Sequence, residues 1–252
     1  KRGYKGKNKE EKQHNIETGS TTAEVFNKLD ESASRTEAFV EKNQKYIFVI
    51  IGLVALVVLG YLGYTEFIAK PKQANAMNDM FQAQKYFDQA VNGVEKDSLF
   101  TLSLNGGEGK FGMLDIIDEY SGTPAANLAN YYAGTAYLRL KDYKKAVECL
   151  NKFSSDDEIL APLAKGNIGD AFVQLNQLDD ALDYYEQAAK MRDNDYTAPM
   201  YLYKAGTIAL DLGKADKALT YFETIKEKYP NASEMAMVEV LIGKAKVLAN
   251  KY

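Results

Sequence analysis

From Tyr46 to Thr65 the chain reads YIFVIIGLVALVVLGYLGYT, 20 residues without a charge. At about 1.5 Å per residue a helix of that length measures roughly 30 Å, the thickness of a bilayer's hydrocarbon core. A cleaved signal sequence has a shorter apolar region followed by small residues, whereas Tyr61 and Tyr64 close this run as interfacial aromatics do. A buried core helix would need a large apolar domain around it, and the 45 residues that precede the run are polar. The expectation is an all-α chain with one retained transmembrane helix, residues 46–68. An arm, 1–45, precedes it, and a soluble domain, 69–252, follows.

Basic residues orient the span. The first twelve residues, KRGYKGKNKEEK, hold six Lys or Arg against two Glu, and Lys42 and Lys45 border the run on the same side. This favours a cytoplasmic N-terminus, although Lys70 and Lys72 beyond the other end soften the contrast. The arm carries 10 basic and 8 acidic residues of the chain's 31 and 35, which leaves 21 and 27 beyond it, a net charge of −6. A domain with that balance is a poor ligand for nucleic acid. The single cysteine, Cys149, cannot close an intramolecular disulfide and does not decide the redox compartment.

The soluble domain is organised by repetition. Three segments align on their glycines: YYAGTAYLRLKDYKKAVECL, GNIGDAFVQLNQLDDALDYY and LYKAGTIALDLGKADKALTYF. Gly134, Gly169 and Gly206 are each followed twelve residues later by Ala146, Ala181 and Ala218, and four residues after that by Leu150, Tyr185 and Phe222. Two short antiparallel helices approach closely only where small side chains meet, and a large residue one turn on fills the space beside them. This pattern resembles the tetratricopeptide repeat, which implies a solenoid of helical hairpins with a concave binding face. A degenerate unit precedes the three, with QANAMNDMFQAQKYFDQAVNG as first helix and GKFGMLDIIDEYSGTP as second, split by the insertion SLFTLSLNGGEG. SEMAMVEVLIGKAKVLANKY, around Gly243, reads as a capping helix, for about 3.5 to 4 repeats in all.

Little in the sequence points to catalysis. The one histidine, His14, lies in the polar arm, and no His–Cys pair exists beyond it. Asp156, Asp157 and Glu158 form an acidic run in an inter-helix turn, as do Asp179 and Asp180, and charges in turns are usually hydrated. NGGEGK lacks the GxxxxGK[ST] pattern and the preceding strand of a phosphate-binding loop, and a flexible loop is expected there. No metal or cofactor site is expected.

The expected activity is binding. Counted from the repeat glycines, the first helices turn Leu128, Tyr131, Thr135, Leu138 and Arg139 to the concave side, then Leu163, Asp170, Val173 and Gln174. Met200, Tyr203, Thr207, Leu210 and Asp211 follow on the third. The set is largely apolar and lacks the Lys, Arg and Asn cluster of repeats that clamp a C-terminal carboxylate. In the span, Gly52 and Gly60 stand eight residues apart near one face with Gly63 close by, where another membrane helix can approach. In the arm, Phe26, Leu29, Ala33, Thr36 and Val40 recur at three- and four-residue steps, so residues 22–42 form an amphipathic helix capped by Thr21 or Thr22. It lies on the inner leaflet or docks on a protein, and its near-balanced charge favours the protein.

The arm ending in Phe39, Glu41, Asn43 and Lys45, the N-in helix with Gly52 and Gly60, its exit tyrosine and the repeats together resemble the YfgM-like ancillary subunits of the bacterial Sec translocon. The resemblance implies a single-pass inner-membrane protein whose C-terminal domain is periplasmic. It implies association with the SecYEG translocon and a PpiD-like periplasmic chaperone, and handling of exported client polypeptides. The longer arm and the SLFTLSLNGGEG insertion depart from it. The other reading is a membrane-anchored scaffold for another envelope assembly or division machine.

Overall fold

A computed structural model describes residues 21–93 and 96–250. The basic segment, His14 and the capping side chains of Thr21 and Thr22 lie outside the described residues. Among those described, every regular element is helical, and one helix is long and apolar enough to cross a membrane. The chain divides after Gly63 into two compact units.

The first unit is helix α1, Thr21–Tyr64. The arm helix and the span, expected as separate elements, form one continuous helix. The reason is local: no glycine or proline occurs between Thr21 and Ile51, so nothing breaks the hydrogen-bond ladder. Phe39, Val40, Tyr46 and the span residues from Phe48 to Leu59 are all exposed.

The second unit opens with a π-helical turn, Thr65–Ala69, and runs through α2 (Lys70–Asn92), α3 (Lys96–Asn105) and α4 (Met113–Glu119). Then come three hairpins: α5 (Pro124–Arg139) with α6 (Tyr143–Lys152), α7 (Leu160–Gln174) with α8 (Leu178–Met191), and α9 (Thr197–Asp211) with α10 (Ala215–Lys228). Helix α11 (Met235–Leu248) packs on α10. Each helix touches the next in sequence, and α7 also touches α5 and α9, the contact pattern of a solenoid.

The repeat glycines sit where the two helices of a hairpin meet. A Cβ placed on Gly134 would stand 2.5 Å from Leu150 Cγ, one on Gly169 2.6 Å from Tyr185 Cε1, and one on Gly206 2.6 Å from Phe222 Cε1. The large residue four positions beyond each alanine fills the space the glycine leaves, as the spacing predicts. Gly243 of α11 differs, because nothing lies within 4 Å of its would-be Cβ. Val238, Ile242 and Ala245 are buried against the preceding helix, while Met237, Val240, Val247 and Leu248 stay exposed.

The turns repeat as well. Lys141, Asn176 and Gly213 each follow a first helix with a positive φ, and the next residue's N–H returns to a carbonyl of the helix: Asp142 to Tyr137, Gln177 to Phe172 and Lys214 to Ala209. This closure satisfies helix carbonyls that would otherwise be orphaned.

The SLFTLSLNGGEG insertion is helix rather than loop for most of its length. Helix α3 buries Phe100 and Leu104 against α2, where the Phe87 and Phe100 rings meet edge-on at 5.5 Å. Leu99, Phe100, Leu102 and Leu104 supply the apolar face that a loop would lack. NGGEGK, expected to be flexible, is a tight turn: Gly106, Glu108 and Gly109 take positive φ, and Lys110 N–H donates to the Gly107 carbonyl at 2.9 Å. The degenerate unit therefore has an extra helix, and its expected second helix is reduced to the seven residues of α4.

Candidate functional site

Helices α5 and α7 line a groove of about 590 Å³. Tyr131, Thr135, Leu138 and Arg139 come from α5, and Leu163, Asn167, Asp170, Val173 and Gln174 from α7. Lys141 and Tyr143 close one end, and Tyr185 reaches in from α8. Residues at three- and four-residue steps on one helix share a face, which is why 131, 135 and 138 align, as do 163, 167, 170 and 174.

The residues expected on the concave side are thus divided. Tyr131, Thr135, Leu138, Arg139, Leu163, Asp170, Val173 and Gln174 line this groove, whereas Leu128, Met200, Tyr203, Thr207, Leu210 and Asp211 do not. Leu128 packs beside the core formed by α2 to α5, and Met200 and Tyr203, like Leu163 and Val173 of the groove, pack beside the core of the last repeats. Leu210 is itself core, 8% exposed, and Thr207 donates its hydroxyl to the Tyr203 carbonyl. The Tyr203 ring sits 6.2 Å from Phe222, so it spends its area on the hairpin.

Asn167, Lys141 and Tyr143 line the groove outside the expected set, and so does Tyr185, which the repeat spacing gives only a packing role. Asn167 stands four residues after Leu163 and three before Asp170, so the same periodicity could have found it. Its amide donates to Thr135 Oγ1 at 3.3 Å and ties α7 to α5. Tyr185 fills the space at Gly169 and also donates its hydroxyl to Asp170 Oδ1 at 2.6 Å.

The floor of the groove is electrically closed. Lys204 Nζ of α9 lies 2.6 and 2.9 Å from the two Asp170 oxygens, and the same ammonium stands 5.5 Å from the Tyr185 ring and 5.6 Å from the Tyr201 ring. Asp170 is therefore neutralised from within. What the groove offers outward is apolar surface from Leu138, Leu163 and Val173, with an exposed cation at Arg139.

Tyrosine hydroxyls donating to carboxylates recur beyond the groove. Tyr221 donates to Glu186 and Tyr229 to Asp193, each at 2.5 Å. Burial and the neighbouring carboxylate push the phenol pKa values up in Tyr185, Tyr201 and Tyr221, and that of Tyr229 to about 12. A folded pKa raised above the unfolded value of 10.0 contributes stability that is complete below pH 10 and lost as pH climbs through the folded values. The helical repeats should therefore hold from neutral pH to about 10 and unfold cooperatively above it. Tyrosinate absorbance should rise together with the loss of helical circular dichroism. Full tyrosine ionisation with the helices intact would contradict this account.

The acidic runs have structural partners. Asp157 accepts the N–H groups of Ile159 and Leu160 at 2.8 and 2.7 Å, which hold its carboxyl below the usual range in the turn that enters α7. Asp179 pairs with Lys214 at 2.6 Å. Among the described residues no group of three or more His, Cys, Asp or Glu side chains is arranged to hold a metal ion. Cys149 is buried, and burial raises its thiol pKa, away from the reactive thiolate.

In α1 the three glycines of the span face open space, with nothing within 4 Å of a would-be Cβ at Gly52, Gly60 or Gly63.

Two family models, both described as tetratricopeptide repeat, match the chain, one over residues 128–157 and the other over residues 167–233. Their spans take in most of α5 with α6, then the second half of α7 with α8 to α10. These hairpins are thus similar to the tetratricopeptide repeat, a module for protein–protein interaction. No curated protein matches the chain.

Proposed function

We propose that this tetratricopeptide-repeat chain is a non-catalytic, membrane-anchored binding subunit whose groove between α5 and α7 holds a segment of a partner or client protein. The observation that carries the reading is the groove itself. Leu138, Leu163 and Val173 are half-buried apolar side chains with room beside them, over an Asp170 already neutralised by Lys204. Such a surface takes an apolar side chain of the incoming segment, with an acidic group near Arg139, and offers no reacting group to it.

Helix α1 then crosses the bacterial inner membrane once, the basic arm staying in the cytoplasm and the repeats standing in the periplasm. The finer reading is an ancillary subunit of the Sec translocon that associates with SecYEG and a PpiD-like chaperone and assists exported polypeptides. It is supported by the combination of polar arm, single span and repeats. Membrane lipid is its solvent and nucleic acid is not a ligand.

Copurification from gently solubilised membranes tests the partners, because translocon subunits should accompany the full-length chain. Recovery of division or outer-membrane assembly proteins in their place would replace the translocon reading with that of a scaffold. The groove is tested by Leu163→Asp with Val173→Asp, both on a half-exposed face. Crosslinking of partner or client to the repeats should fall about tenfold or more, since two desolvated apolar contacts carry a few kcal/mol. Because Leu163 and Val173 also pack beside the core of the last repeats, helical content is measured alongside, and Leu138→Asp, a groove residue outside the three core clusters, gives the same readout if the pair unfolds. Undiminished crosslinking in the folded variant would remove the groove as the binding surface.

A further inference from the structure

The portion of α1 before the span carries an apolar face that nothing in its unit covers. Phe26, Leu29 and Val40 are 65%, 58% and 46% exposed. The spacing of this face is informative. Phe26, Leu29, Ala33, Thr36, Val40, Asn43 and Ile47 follow one another at steps of 3, 4, 3, 4, 3 and 4, a strict period of 3.5. A seven-residue repeat held without a slip is the pattern of a helix wound around another, whose seam it keeps facing the partner. The flanks keep the same count: Lys28, Arg35 and Lys42 recur at seven-residue intervals, as do Asp30 and Glu37.

We propose that this face is the seam of a parallel two-stranded coiled coil formed with a second copy of the chain. Phe26, Ala33, Val40 and Ile47 take the a positions, with Leu29, Thr36 and Asn43 at d. Charge selects the occupant. Residues 22–45 hold four basic and five acidic side chains, a net of −1, so the segment has no attraction for an anionic leaflet. Charge also selects the direction. Asp30 and Glu37 fall at e, where antiparallel copies would set them against each other across the seam. Parallel copies set e against g, and the g residues Val25, Ser32 and Phe39 carry no charge. The small side chains of Ser32, Ala33 and Thr36 leave a shallow groove between Leu29 and Val40, so the two backbones come closest there.

Two copies anchored in one membrane already run in the same direction. Their shared anchorage raises the effective concentration enough for a short seam of about three heptads to pair. Only this last step rests on the membrane reading. The seam also leaves the glycine face of the span free. At 100° per residue Asn43 lies roughly 180° from Gly52, so a second copy and another membrane helix would occupy opposite sides of α1.

Single cysteines in full-length chain lacking Cys149, oxidised in native membranes, test the arrangement. Cysteine at Leu29, Ala33, Thr36 or Val40 should give severalfold more disulfide-linked dimer than cysteine at Lys28 or Ala38 on the outer face. Leu29→Asp with Val40→Asp should abolish the dimer formed through Ala33→Cys. Equal dimer yield at all six positions overturns the seam. So does its replacement by adducts with a different protein, or by insertion of seam cysteines into lipid without dimer. Leu163→Asp with Val173→Asp should leave the crosslinking pattern unchanged, so loss of the groove reading and loss of the seam would be seen separately.

Discussion

Gly166→Ala is expected to lower the thermal midpoint of the helical repeats by roughly 6–12 °C, from an overpacking cost of about 3 kcal/mol. Gly166 belongs to α7, and a Cβ there would fall 1.9 Å from Cε1 and 2.0 Å from Cζ of Tyr201 on α9. That ring cannot swing aside. It is 1% exposed and lies with its centroid 6.1 Å from the stacked ring of Tyr185, with the Lys204 ammonium over both. Alanine is the better helix former by about 1 kcal/mol, which is too small to offset the clash. The same replacement in a Tyr201→Leu background should cost much less than it does alone, because the two sites share one volume. An unchanged midpoint for Gly166→Ala by itself would mean that the stacked rings yield, and that the interface between repeats is softer than its burial implies.

Gly52→Leu combined with Gly60→Leu is expected to abolish copurification of membrane partners while the chain still inserts and its repeats still fold. All three span glycines look onto open space, so leucine meets no neighbour within the helix's own unit and gains in lipid solubility. What it removes is the close approach of another helix, which is a main source of attraction where lipid cancels the hydrophobic drive. Exchange of the whole span for an unrelated apolar helix, with Phe39 to Lys45 kept, is the sharper comparison. If that chimera recovers the proposed membrane partners as well as the native chain does, the span is an anchor only and recruitment belongs to the repeats or the arm.

Much of the fold was legible because its determinants recur. Gly134, Gly169 and Gly206 could be aligned by eye, and each meets the large residue that the spacing assigned to it. The contact of Gly166 with Tyr201 was not legible. It joins neighbouring repeats, and neither residue has a counterpart of the same type at the aligned positions, Tyr131 and Gly166 standing where the third repeat has Tyr203. Helix α3 was missed for a related reason, since an element that breaks the repeat interval has no internal template, and the glycines after it read as loop. In the groove, positions six or three before and one, four and five after each glycine give most of the α5 and α7 lining. On α9 the same count gives residues outside this groove, where Leu210 enters the core and Tyr203 packs on Phe222. Periodicity reports the face of a helix; what lies across from that face is tertiary information. The Asp170–Lys204 pair, 34 residues apart, is of the same kind.

Gly243 has the small-residue opening of the repeat glycines but meets no large side chain among the described residues. In the three hairpins a glycine is answered twelve residues later by alanine and sixteen later by a large side chain. Each hairpin is therefore specified by its own three residues, and nearest-neighbour stacking keeps a change in the last of them from reaching the lining that α5 supplies to the groove.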